Sequence, residues 1–130
     1  MKNTEMIKRI STLAERDTRY RREAYFFILA SLEFTLEQMH EVRHLTGQEL
    51  SRGIAEYARM QYGWLAKPVL EHWGIHATSD FGEIVYLLID EGLMSRTDED
   101  RKEDFDGVYD FEMEFSWEKS KPSQFPERFE

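Results

Sequence analysis

Apolar residues recur along the first ninety positions at helical spacing. Between about Thr4 and Glu15, Met6, Ile10 and Leu13 fall on one face with Ile7 beside them, which predicts a first amphipathic helix. From about Arg19 to Met39 the stripe Tyr25, Ile28, Leu29, Leu32, Leu36 and Met39 is widened by Phe26, Phe27 and Phe34 until the helix is apolar nearly all round. A helix of that kind lies buried at the centre of its domain. A third helix has the clearest start: Thr46 and Glu49 stand at the spacing of a capping box, and Leu45 and Leu50 flank them as a hydrophobic staple. It continues through Ile54, Tyr57 and Ala58 to Gly63, a residue suited to end a helix. A short fourth helix, about Trp64 to Trp73, tolerates Pro68 only in its first turn. A fifth is expected from Asp80, with Glu83 completing a second capping pattern, to Gly92; it carries Phe81, Ile84, Val85, Leu88 and Ile89.

After Gly92 the pattern changes. Leu93 to Thr97 reads as a short strand, Thr97 to Asp106 is strongly charged, and Asp106-Gly107 is a turn signal. From Tyr109 to Phe115 apolar or aromatic residues alternate with acidic ones, a period of two that predicts a strand with one wet face. The expected fold is therefore mainly α, about five helices with a small C-terminal β-hairpin, in one domain over residues 1–115. Residues 116–130, with Pro122, Pro126 and little periodicity, read as a poorly ordered tail. Helix, turn, helix and then a charged turn also fits a winged-helix-like α+β arrangement in which Ser95 to Phe115 is the wing.

Composition narrows the class. A chain of 130 residues with 41% hydrophobic and 14% aromatic content can build one packed core, which excludes global disorder. It has no cysteine, so disulfides and thiolate-held metal clusters are excluded and a reducing compartment fits. Lys2, Asn3, Thr4 and Glu5 follow Met1 with no apolar run behind them, and the longest apolar stretch, Ala24 to Ala30, is far shorter than the roughly 20 residues a bilayer span needs. A cytoplasmic protein without a membrane partner is expected.

The net charge of −9 is unevenly spread. Residues 1–22 hold seven Lys/Arg and three Asp/Glu, a net of +4, whereas residues 97–130 hold five and twelve, a net of −7. This division predicts that the basic head meets the acidic tail half, within one chain or across a dimer. It also disfavours nucleic acid as a partner, because the wing candidate carries nine acids against three bases and would repel phosphate.

Three groups of residues invite a chemical reading. His40-Glu41-Val42-Arg43-His44 matches H-E-x-x-H, the pattern in which two histidines one helical turn apart hold zinc and the glutamate activates water. The position of a third ligand is Leu50, however, and the cap at Thr46 places a helix boundary beside the motif. His40 and His44 therefore read as a solvated pair near a helix end, with no cofactor called for. Arg16, Arg19, Arg21 and Arg22 crowd the entry to the second helix, where the dipole opposes positive charge; they are candidates for an anion or an acidic partner segment. Asp98, Glu99, Asp100, Glu103, Asp104, Asp106 and Asp110 have the right donor type for calcium but not the loop spacing, since the sixth position is never glycine. Asp104, Phe105, Asp106, Tyr109, Asp110 and Phe111 are instead the expected surface for a partner.

The runs HLTGQEL (His44 to Leu50), Trp73-Gly74, DFGEIVYLLIDEGLM (Asp80 to Met94) and the acidic-aromatic block Thr97 to Phe115, with RYRREAYFFILASLEFT (Arg19 to Thr35), resemble a family of short uncharacterised bacterial proteins best known from planctomycetes and verrucomicrobia. The resemblance covers most of the chain and leaves out the tail from Ser116. It implies no catalytic residue, since that family has no established activity. The expected function is a non-enzymatic protein-interaction or adaptor domain, with self-association open. The alternative is a small enzyme or metal-binding protein with a dispersed site at His40, Glu41 and His44. A DNA-binding regulator is the third reading.

Overall fold

The computed structural model of the protein describes residues 3–122, and among these no strand is present. The chain forms α1 (Asn3–Arg16), α2 (Arg22–Met39), α3 (Gly47–Tyr62), a 3₁₀ turn (Gly63–Leu65), α4 (Ala66–His72) and α5 (Thr78–Asp90). A second 3₁₀ turn (Lys102–Phe105) and two single helical turns, α6 (Phe111–Glu114) and α7 (Trp117–Ser120), complete it. Among the described residues no helix is long and apolar enough to cross a membrane.

α2 occupies the centre, as its all-round apolar pattern predicts, and packs against α1, α3 and α5. Tyr25 and Ile28 on α2 are fully buried together with Ile10 and Leu13 of α1, Ile54 of α3, and Phe81, Ile84 and Leu88 of α5. Toward α3, Phe27 and Phe34 of α2 pack on Tyr57, but at one point the contact is small and polar. Ser31 and Thr35 are buried, and each hydroxyl donates to the carbonyl one turn back, Ser31 to Phe27 at 2.8 Å and Thr35 to Ser31 at 2.7 Å. Their hydrogen bonds are thus met within the helix. Opposite them stands Gly53, where an added Cβ would collide with Thr35 Oγ1.

α3 begins where its sequence places it. Thr46 Oγ1 accepts from Glu49 N at 3.1 Å, and Glu49 Oε1 accepts from Thr46 N at 3.0 Å, so two backbone donors that the helix leaves free are satisfied reciprocally. Leu45 and Leu50 are both buried beside this cap. Pro68 falls in the first turn of α4, where no amide hydrogen bond is lost.

Several expectations are corrected. The second helix starts at Arg22, not Arg19, because the backbone of Arg19 to Arg21 passes against the end of α4: Arg21 N donates to Trp73 O at 3.1 Å. α5 starts at Thr78, and Asp80 is its third-residue carboxylate rather than its cap. Asp80 Oδ2 accepts from His76 N at 2.8 Å and from Ala77 N at 3.2 Å, while Oδ1 accepts from the hydroxyl of buried Tyr20 at 2.5 Å. Burial and that carboxylate push the Tyr20 phenol above its ordinary pKa.

The C-terminal β-hairpin and the winged-helix-like α+β arrangement are not seen. Leu93 to Thr97 forms no strand, and Phe111–Glu114 is a helical turn whose first amides are capped by Asp110, Met113 N donating to its carboxylate at 3.2 Å. Phe111 and Phe115, one helical turn apart, are both buried and meet edge to face at 5.2 Å; Phe81 and Tyr109 join the same cluster. Tertiary burial of one aromatic face thus overrides the alternation. Trp117–Ser120, the start of the expected tail, is a helical turn, and residues 123–130 lie outside the described residues.

The acidic stretch folds back onto the bundle through Phe105. This ring is buried between two helical glycines: a Cβ at Gly47 would approach it to 3.0 Å and one at Gly82 to 3.1 Å. Only the absence of side chains at those positions lets α3 and α5 grip the ring from both sides.

Two stability measurements test this account. In an ordinary exposed helix position Gly→Ala is stabilising; Gly53→Ala should instead destabilise by about 2 kcal/mol in urea unfolding, since the crossing of α2 and α3 has no room for a methyl. Thr46→Ala should cost about 1 kcal/mol through loss of the cap. An unchanged midpoint in either variant would contradict the packing or the cap.

Candidate functional site

Where α2, α3 and α5 diverge, a cavity of about 400 Å³ opens between them. Its floor is apolar: Leu32 and Leu36 of α2, Leu50 of α3, Val85 and Ile89 of α5, and Phe105. Its lip is made by two connections, residues 42–45 and residues 94–101. The first exists because α2 ends at Met39 with His40 in the left-handed conformation (φ 55°), which turns the chain out of the helix. The second follows the end of α5. His44 Nε2 and Asp100 Oδ2, 2.5 Å apart, lace the two together.

Charge is arranged around this lip. Arg43 reaches Glu41 at 2.7 Å and Glu49 at 2.7 Å. The Arg43 guanidinium, with the amide of Thr46, holds the Glu49 carboxyl down to about 2. Burial raises the Asp100 carboxyl, but the amide of Thr97, which donates to it at 2.7 Å, and the neighbouring His44 outweigh this and leave it below the usual carboxylate range. Arg96 donates to the carbonyls of Thr97 at 3.2 Å and Asp100 at 2.9 Å and lies over the Tyr86 ring, 5.5 Å from its centre. The Tyr86 hydroxyl is buried without a hydrogen-bond partner, and burial raises its pKa.

The histidine motif is not assembled as a ligand set. His40 is exposed on the turn after α2, Glu41 is engaged by Arg43, and His44 faces Asp100 on the other connection. Among the described residues no group of three or more His, Asp or Glu side chains is placed to hold a metal ion. The arginines do not converge either. Arg16 sits at the C-terminal end of α1, where positive charge is favoured by the dipole, and pairs with Glu91 at 3.0 Å. Arg19 pairs with Asp17 at 2.7 Å and Glu83 at 3.2 Å. Arg21 Nε donates to His72 O at 3.2 Å, and Arg22 opens α2 on the exposed surface. Among the described residues of one chain, Arg16 and Arg19 thus find their acids at Glu91, Glu83 and the neighbouring Asp17 rather than in the stretch 97–122. Asp100, Glu112 and Glu114 of that stretch answer His44, Lys67 and Arg59 instead.

The expected partner surface is also redistributed. Phe105 and Phe111 are core residues, and half-buried Tyr109 donates its hydroxyl to Ser51 O at 2.8 Å. Asp104 accepts from Arg101 N at 3.0 Å and Asp110 caps α6, while Asp106 is exposed.

No family model, curated protein or solved structure matches the chain. Its function is therefore read from geometry.

A second feature lies at the other end of α3. Trp64, in the 3₁₀ turn, and Trp117, in α7, meet edge to face at 5.0 Å, yet remain 48% and 40% exposed. Leu65, next in the chain, is 53% exposed. Neither this pair nor the cavity is legible as a motif. Trp117 falls in the stretch expected to be an unstructured tail, and the cavity draws on three helices and two connections. The single available signal was the surplus of large apolar residues in those segments.

The Glu49 carboxylate gives a pH test. Its pKa is depressed in the folded chain, so its contribution is present above the ordinary value near 4.5 and is lost as pH falls toward about 2. Glu49→Gln should lower the urea midpoint at about pH 6, and the deficit should shrink on acidification to about pH 3. A deficit that is constant with pH would mean that the ion pair with Arg43 adds no stability.

Proposed function

We propose that the protein is a non-enzymatic interaction domain that docks another protein on the face around Trp64 and Trp117. The observation that supports this reading is the exposure of Trp64 and Leu65. Folding buries large apolar side chains wherever it can, and Trp64, 48% exposed beside Leu65 at 53%, offers a surface suited to burial by a partner. Tryptophan is enriched at the energetic centres of interfaces because it contributes much area with few rotatable bonds.

The charges nearby favour an apolar contact. Arg59 is paired with Glu114 at 2.8 Å, and Lys67 with Glu71 and Glu112 at 3.1 Å each. The region is locally balanced in a molecule of net charge −9, so a partner meets little long-range repulsion there. The separate positions of His40, Glu41 and His44 favour binding over the metal-enzyme alternative, and the acidic balance favours protein over DNA.

A photo-crosslinking amino acid placed at Leu65, in cells that express the protein, should yield one discrete adduct. The same probe at Arg22 should not, and Trp64→Lys should abolish the adduct while shifting the unfolding midpoint little. Light scattering then distinguishes a second copy from a different protein. Equal labelling at both positions, or an adduct indifferent to Trp64→Lys, would refute the tryptophan face.

A further inference from the structure

We propose that the cavity between α2, α3 and α5 is a binding site for a small amphipathic carboxylate, an acyl or aryl chain ending in one negative charge. The inference is independent of the tryptophan face, which lies at the opposite end of α3. Three observations converge on it.

The first is size and lining. About 400 Å³ is within the range of small-molecule pockets, and a floor of Leu32, Leu36, Leu50, Val85 and Ile89 accepts an apolar body. Such a floor left to water is costly, and an apolar chain removes that cost.

The second is charge at the mouth. Arg96 and Arg101 both line the cavity, and neither has a carboxylate partner among the described residues. Arg96 is held in place by two backbone carbonyls, which fix its direction without neutralising it. Asp100 and Asp104 line the same cavity but turn to other donors, Asp100 to His44 and the Thr97 amide and Asp104 to the Arg101 amide. The two guanidiniums thus stand at the opening without an ion pair of their own. They match a carboxylate in charge and in hydrogen-bond geometry.

The third is the Tyr86 ring. It lines the cavity with the Arg96 guanidinium lying over it, 5.5 Å from its centre, so the ring as well as the two carbonyls holds that charge at the wall. Arg96 and Arg101 would then share the anion while the chain lies along α5.

Calorimetry on the full chain with octanoate tests the assignment, with octylamine, 1-octanol and acetate as comparisons. Octanoate should bind one to one with a dissociation constant below about 1 mM. Octylamine should fail because its charge is wrong, 1-octanol should bind at least about tenfold more weakly, and acetate, which lacks the chain, should not saturate. Arg101→Gln is an exposed change that leaves the core intact, and it should weaken octanoate about tenfold. In the unaltered protein, octanoate should move the amide resonances of Ile89, Met94 and Arg96 and leave those of Trp64 and Trp117 in place. Equal affinity for octanoate and 1-octanol, resonance changes away from the cavity, or no saturable binding of octanoate would each overturn the proposal.

Discussion

The contact on which the rest of the molecule depends is the close crossing of α2 and α3 at Thr35 and Gly53. α2 is covered on most sides, and at this point it offers the Thr35 hydroxyl to a neighbour that has no side chain. The Ser31 and Thr35 hydroxyls bond to their own helix, so the contact needs no hydrogen bond between the two helices. Because the axes can approach so closely there, α3 is fixed along its length. Its capped start is delivered to the lip of the cavity, and its far end carries Trp64 out to meet Trp117. The positions of both candidate features are therefore set by one small-residue crossing.

What the sequence reveals and what it hides divide along a physical line. Signals that act within one turn are visible: the Thr46–Glu49 box, the staple of Leu45 and Leu50, the glycine that ends α3, the tolerance of Pro68. Signals that depend on tertiary partners are not. Tyr109 to Phe115 alternates as a strand would, but the same residues also place Phe111 and Phe115 four apart, and packing against Phe81 selects the helical spacing. Asp80 looks like a cap, yet its carboxylate serves the amides before it, because Tyr20 from a distant segment completes its environment. The candidate sites fail for the same reason. The two histidines are four apart in sequence, but a left-handed residue at His40 separates them in space.

The charge pattern has a simpler meaning than attraction between two ends. Arg16 stands beside Glu91, just past the end of α5, Arg19 beside Glu83 in its middle, and Arg9 donates to the carbonyl of Glu91 at 2.8 Å. These contacts tie α1 and the turn after it to α5. They are half exposed, so each is weak and sensitive to salt. Their collective effect is orientation: apolar burial drives α1 against the core, and the ion pairs choose its angle.

Phe105 carries a consequence for the order of assembly. Its pocket has two walls, Gly47 on α3 and Gly82 on α5, which lie far apart in the chain. The ring has nowhere to bind until both helices are side by side, so its seating cannot precede their pairing. Phe105 thus links the two helix starts through a segment that comes after both in the chain, and the acidic stretch is held to the bundle by one buried ring.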